Sequence, residues 1–267
     1  MGANHPVSPT GLEPFRKILG QRDLTGRPFI VVGGQAVNIW ANYYLPREPR
    51  LQMCLPFTSK DLDVVAAKSD AERVASATGW SISPPPVRGG PVEAVLSSKP
   101  AGAGLKVEFL REILGVPPDT IEAYARENLV RVPGSDEPLL VRVLDPVFLL
   151  AGKLRNAVDI KQDLPDRPRQ DTKHVTMLAL CVPHFLEDVR AQATDRAARE
   201  SICGRYVTIL ATLKNTYSGR QFEGRHPGVI RWQELVPQRV QRMYFDKEVR
   251  AALQHLVGQS QSRGIRI

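Results

Sequence analysis

The sequence predicts an α+β fold, with a mixed sheet flanked by helices over residues 1–144 and an all-helical half over residues 145–267. Three observations carry this. In the first half, short apolar runs such as Phe29-Ile30-Val31-Val32 and Leu62-Asp63-Val64-Val65-Ala66 alternate with amphipathic stretches, the pattern of strands interleaved with helices. Asp145-Pro146 then offers an N-cap and a first helical residue. Past that point no strand pattern and no repeat recurs. A chain of 267 residues can bury a sizeable core as one large or two modest domains.

The elements follow in order. Leu12, Phe15, Ile18 and Leu19 recur at helical spacing, and residues 29–32 read as a strand. Gly33-Gly34 ends it and opens a helix carrying Ala36, Val37, Ile39 and Trp40, with Tyr43 and Tyr44 at its end. Pro46 to Pro56 is a proline-marked connection, after which Thr58-Ser59 leads into the strand of Asp61-Leu62-Asp63. Ser69 with Glu72 reads as a capping box starting a helix through Ala77, stopped by Gly79. Residues 80–83, 92–97 and 105–110 read as strands separated by Pro/Gly-rich turns. A short helix at 119–127 precedes a hairpin of Leu129–Val132 and Leu139–Val143 around Pro133-Gly134-Ser135-Asp136. Val147, Leu150, Ala151, Leu154 and Val158 form one apolar stripe; helices then read from Thr172 to Cys181, with a break or kink at Pro183, over 185–198 and 200–214, and as two segments after Pro227.

The formal net charge of +8 and a pI near 9.6 point to acidic partners, nucleic acid being the commonest. Nine basic side chains of the helical half (Arg196, Arg199, Arg205, Lys214, Arg220, Arg225, Arg231, Arg239, Arg242) outnumber the local acids and suit a phosphate backbone, or else form solvated helix faces. Cys54, Cys181 and Cys203 are far apart and odd in number, which argues against a disulfide framework and a zinc site. No apolar stretch approaches a membrane span and no signal-peptide core opens the chain, so a cytoplasmic protein without a membrane partner is expected.

Chemistry concentrates at two places. A strand ending in Gly33-Gly34 before a helix exposes backbone N–H groups, a natural seat for phosphate. Residues two apart on a strand share a face, so Asp61 and Asp63 would together hold one or two Mg²⁺ (or Mn²⁺) ions while Leu62 and Val64 face the core. A two-metal site wants a third carboxylate. In Leu105-Lys106-Val107-Glu108-Phe109-Leu110, the apolar alternation leaves Glu108 on the opposite face as the first candidate, with Glu93 the second. Ser59 lies two residues before Asp61; a phosphate there would compete with a nucleotide, although capping a turn is the plainer role.

Gly33-Gly34-Gln35-Ala36-Val37 followed by Ser59-Lys60-Asp61-Leu62-Asp63-Val64 resembles the signature of the polymerase-β-like nucleotidyltransferase superfamily, and is similar within it to the AbiEii/AbiGii-type (MenT-like) nucleotidyltransferase toxins. The resemblance extends to Lys153, on the first helix of the second half, and to Arg169-Gln170-Asp171, which matches an Arg-x-Lys-Asp element. It implies a nucleotidyltransferase-fold domain over residues 1–144 that moves a nucleoside monophosphate from an NTP substrate to RNA, tRNA foremost, with a cognate antitoxin as a possible partner. It implies further that Asp61, Asp63, Lys153 and Asp171 are catalytic, that Gly33, Gly34, Ser59 and Lys153 bind the nucleotide, and that Asp61, Asp63 and Glu108 bind metal. Other classes on the same residues are a non-catalytic RNA-binding module and an enzyme placing AMP on a protein. The chain departs from the pattern in the long interval between Gly34 and Asp61, in Gln170 for lysine, and in His174 where an aspartate is usual.

Overall fold

The computed structural model describes residues 11–85, 90–99, 104–131, 137–160 and 169–258. A short 3₁₀ turn, Glu13–Phe15, leads into α1 (Arg16–Leu19), β1 (Ile30–Val32), α2 (Gly33–Tyr44), β2 (Asp61–Val65) and α3 (Lys68–Thr78). There follow β3 (Ser81–Ser83), β4 (Val92–Ser97), β5 (Lys106–Leu110), α4 (Pro118–Tyr124), β6 (Ala125–Val130) and β7 (Leu139–Leu144). The remainder is helical: α5 (Pro146–Asp159), α6 (Asp171–Gln192), α7 (Arg196–Asn215), α8 (Tyr217–Arg225), α9 (Gln238–Gln241) and α10 (Lys247–Val257). Among the described residues no helix is long and apolar enough to cross a membrane.

The seven strands form one mixed sheet in the order β3-β4-β5-β2-β1-β7-β6. The central strand β1 is buried throughout and pairs antiparallel with β2 and parallel with β7. Strand β2 lies parallel to β5 in a register that sets Asp63 opposite Glu108 and Asp61 opposite Lys106. Alternation does what the sequence requires: Leu62, Val64, Val107 and Phe109 are fully buried, and the acidic residues between them share the other face. The apolar core runs without interruption from this sheet into the helical half, through Val147, Leu150 and Leu154 of α5 and Val175, Leu178 and Phe185 of α6.

The start of α5 is as expected. Asp145 Oδ1 accepts from the N–H groups of Val147 at 3.1 Å and Phe148 at 3.0 Å. Its Oδ2 accepts from the Tyr206 hydroxyl at 2.7 Å, and that hydroxyl accepts from Arg126 Nη2 at 3.0 Å. Burial raises the Asp145 carboxyl to about 6, against the opposing pull of the Phe148 N–H and the Tyr206 hydroxyl. One N-cap thus ties α5 to β6 and α7.

Several elements differ from expectation. Helix α3 begins at Lys68, and its first turn is closed by Asp70 reaching back to the Ala67 N–H at 3.4 Å rather than by Ser69 and Glu72; Glu72 pairs instead with Lys68 at 3.6 Å. The helix expected at 119–127 stops at Tyr124, because the six-pair ladder of β6 with β7 starts at Ala125, and tertiary pairing overrides local propensity. Pro183 does not break α6, which continues to Gln192 with Val182, Phe185 and Leu186 packed in the core; that packing outweighs the single hydrogen bond a proline removes. Residues 193–195, expected to be helical, are the joint where Asp195 caps α7. The Pro46–Pro56 connection holds a 3₁₀ segment, Pro49–Cys54. Helix α8, capped by Thr216 on the Gly219 N–H at 3.0 Å, had no counterpart in the sequence reading. The Pro133–Asp136 turn lies outside the described residues.

Candidate active site

The sheet brings three carboxylates to one face beside the start of α2. Asp61 and Asp63 alternate outward from β2, and Glu108 stands beside Asp63 on β5. Burial raises all three carboxyls, Asp63 most strongly. Mutual repulsion adds to it: the charge of Asp61 acts on both Asp63 and Glu108. Three acids holding one another's protons on is the electrostatic condition that a divalent cation relieves. Glu93, the second candidate, pairs with Arg111 at 3.5 Å.

Each glycine of the pair is required by a neighbour. Gly33 has φ +63°, and a Cβ there would run into the Asp63 carboxylate, with Asp63 Cγ at 2.6 Å. A Cβ on Gly34 would strike Ser59 Oγ and lie 3.0 Å from Ser59 Cβ and 3.1 Å from His174 Cε1. The elbow therefore lets one acidic strand, one serine and one histidine close directly on bare backbone. The Gly34 N–H, assigned from sequence to a phosphate, is bonded to the Asp63 carboxylate. Ser59 is only 7 % exposed, so its hydroxyl is a packing group of the elbow and is poorly placed for modification.

The helical half contributes the cations. Lys153 Nζ on α5 donates to Asp171 Oδ1 at 3.0 Å, and Arg169 Nε donates to Asp171 Oδ2 at 2.6 Å. Burial alone would raise the Asp171 carboxyl, yet Lys153 and Arg169 hold it below the ordinary carboxylate value. The same two cations face the acidic strand, since both lower Asp61 against the effect of its burial. Lys153 is only 8 % exposed, so it is a buried charge with two acidic neighbourhoods and not a solvated lysine. Arg155 pairs with Asp159 on its own helix at 2.8 Å and is taken up there.

Two members of the site were not assigned a role from sequence. Arg169 completes the clamp on Asp171. His174, one turn after Asp171 on the same face of α6, packs on the Gly34 backbone. It is 4 % exposed, and neither ring nitrogen has a hydrogen-bond partner among the described residues. Burial first, then the Lys153 charge, pushes its pKa down to about 3, so it is a neutral ring at ordinary pH. The i, i+3 spacing of Asp171 and His174 was the available signal.

Hard carboxylate oxygens of this kind suit Mg²⁺ or Mn²⁺, and the backbone sets the three acids on one face at adjacent register positions. Among the described residues no three Asp, Glu, His or Cys side chains converge into a ready ligand set. The Asp63 carboxylate is folded onto Gly33. Comparisons with protein-family models, curated proteins and solved structures return no match for this chain.

Proposed function

We propose that this chain is a metal-dependent nucleotidyltransferase that moves a nucleoside monophosphate from an NTP to RNA, tRNA foremost, as the toxin of a toxin–antitoxin or phage-defence pair. The supporting observation is the apposition of Asp61, Asp63 and Glu108 with a glycine elbow on one side and the Lys153–Asp171–Arg169 clamp on the other. The family resemblance of the two motifs supplies the acceptor and the partner class.

Asp61, Asp63 and Glu108 would hold the metal, which when bound supplies charge to polarise the α-phosphate and offset the departing pyrophosphate. The acceptor hydroxyl oxygen forms the new bond to the α-phosphorus as the bond to the bridging oxygen of pyrophosphate breaks. Glu108 would take part in holding a second ion and so help lower the pKa of the attacking hydroxyl, whose proton leaves to solvent. Lys153 meets the phosphates at the wall of the cleft, and Asp171 fixes its ammonium in place with Arg169 beside it. Gly33, Gly34 and the first-turn N–H groups of α2 would hold the β- and γ-phosphates.

The test is transfer of label from each NTP in turn, with Mg²⁺ and either total tRNA or a protein mixture. Label in RNA that disappears with Asp61→Asn supports the reading. Label in protein would replace it with protein AMP transfer. RNA retention without transfer from any NTP would replace it with a binding module.

A further inference from the structure

Far from the carboxylates, the C-terminal end of α6, the start of α7 and the end of α9 border an open cavity of about 260 Å³ lined by Arg190, Arg196, Arg199, Glu200, Arg242 and Tyr244. Two of its four guanidinium groups are neutralised locally: Arg190 Nη2 lies 3.0 Å from Glu187 Oε2, and Arg196 Nε donates to Glu200 Oε1 at 2.7 Å. The other two meet only neutral acceptors. Arg199 Nε donates to the Ala193 carbonyl at 3.1 Å and Arg242 Nη2 to Gln238 Oε1 at 3.4 Å. Among the described residues neither has a carboxylate within ion-pair distance.

The positive end of α7 is already met by the Asp195 carboxylate, which accepts from the Ala198 N–H at 2.8 Å, so the pull on a further anion comes from the arginines. Three separate elements aim arginines into the same space, and the Tyr244 ring has Arg196 at 5.9 Å and Arg250 at 5.8 Å from its centroid, which steadies the guanidinium groups. Planar forks of donors match paired phosphate oxygens.

The source of that phosphate follows from distance. Arg190 is nineteen residues beyond Asp171 along α6, about 28 Å at the rise of an α-helix. A nucleotide held by the carboxylates cannot reach so far, whereas a strand with one end there can. We propose that this cavity is a second anion site that grips phosphodiester groups of an RNA strand and anchors it away from the carboxylate cluster. Only the choice of RNA rests on the function proposed above; the phosphate chemistry stands on the arginines alone.

The experiment is fluorescence anisotropy with a labelled single-stranded RNA of about 20 nucleotides, the full chain, no NTP and no divalent ion, over a series of salt concentrations. The Arg199→Ala/Arg242→Ala double variant should bind about tenfold more weakly, and its plot of log affinity against log salt should be shallower by about 1 to 2. Inorganic phosphate should compete weakly and polyglutamate of equal charge should not. Unchanged RNA affinity in the double variant would overturn the proposal, as would competition by polyglutamate equal to that of RNA. Binding of a mononucleotide as tight as that of RNA would overturn the strand and leave a nucleotide site. Because no turnover is read, loss of binding in a chain that transfers no label sinks the nucleotidyltransferase reading alone. Normal binding by the double variant of a chain that does transfer label sinks the anchor alone.

Discussion

Replacing Gly34 by alanine tests the elbow without touching a charge. The added Cβ would strike Ser59 Oγ and stand 3.0 Å from Ser59 Cβ and 3.1 Å from His174 Cε1. Both neighbours are buried, at 7 % and 4 % exposure, so neither can swing into solvent. Overpacking of this kind costs about 1–3 kcal/mol, and the gain of alanine over glycine in a helix returns about 0.5–1 kcal/mol. A net loss of about 1–2 kcal/mol should lower the melting temperature by about 2–4 °C for a chain of this size. Ser59→Ala removes the oxygen that the new methyl meets, so the double variant should recover about half of the loss. The pair should show a coupling of at least about 0.5 kcal/mol in a double-mutant cycle, read by thermal and urea unfolding. A neutral or stabilising Gly34→Ala, or strict additivity with Ser59→Ala, would refute the close packing of α2, β2 and α6 on which the site depends.

Other outcomes follow from the same geometry. Lys153→Met should destabilise by about 3 kcal/mol, because it strips a buried carboxylate of one of its two cations; equal stability in urea would contradict the clamp. His174 is held neutral in the fold, so the unfolded chain takes a proton first as pH falls. Its contribution is complete above 6.5 and is lost on acidification toward about 3. Between pH 6.5 and 5 that amounts to about 2 kcal/mol, and urea titrations at the two pH values should show His174→Leu to be less acid-sensitive than the wild type. The acidic trio behaves oppositely. Raised carboxyls make the metal-free fold lose stability as pH rises through their shifted values, so Mg²⁺ should raise the melting temperature more at pH 8 than at pH 5. Tyr206→Phe removes the hydroxyl between Asp145 and Arg126 and should cost about 1–3 kcal/mol in thermal unfolding, leaving metal affinity unchanged.

The parts of this molecule written in local pattern were legible in the sequence. The alternation of Leu62 and Val64 with Asp61 and Asp63 foretold which face each side chain takes, and Asp145-Pro146 foretold the start of α5. Lys153 and its partner Asp171 both followed from the resemblance. What failed was decided by partners distant in sequence. Nothing within residues 119–127 announces that β7 will claim Ala125 onward. Nothing around Pro183 announces how much core packing α6 gains by continuing through it. His174 was visible only as a departure from a pattern, because its contact with Gly34 spans 140 positions. The arginine cavity likewise draws on α6, α7 and α9: Arg196, Arg199 and Arg242 read in sequence as suiting a phosphate backbone or as solvated helix faces, and only the fold sets them beside one another and Arg190.

Calorimetric titration of the purified chain with Mn²⁺ at pH 8, in parallel for the wild type and an Asp61→Asn/Asp63→Asn variant of matched melting temperature, addresses the carboxylate cluster most directly. The account predicts one or two ions bound per wild-type chain and their loss in the variant. Equal binding by both proteins, or no binding by the wild type even with an NTP present, would contradict it.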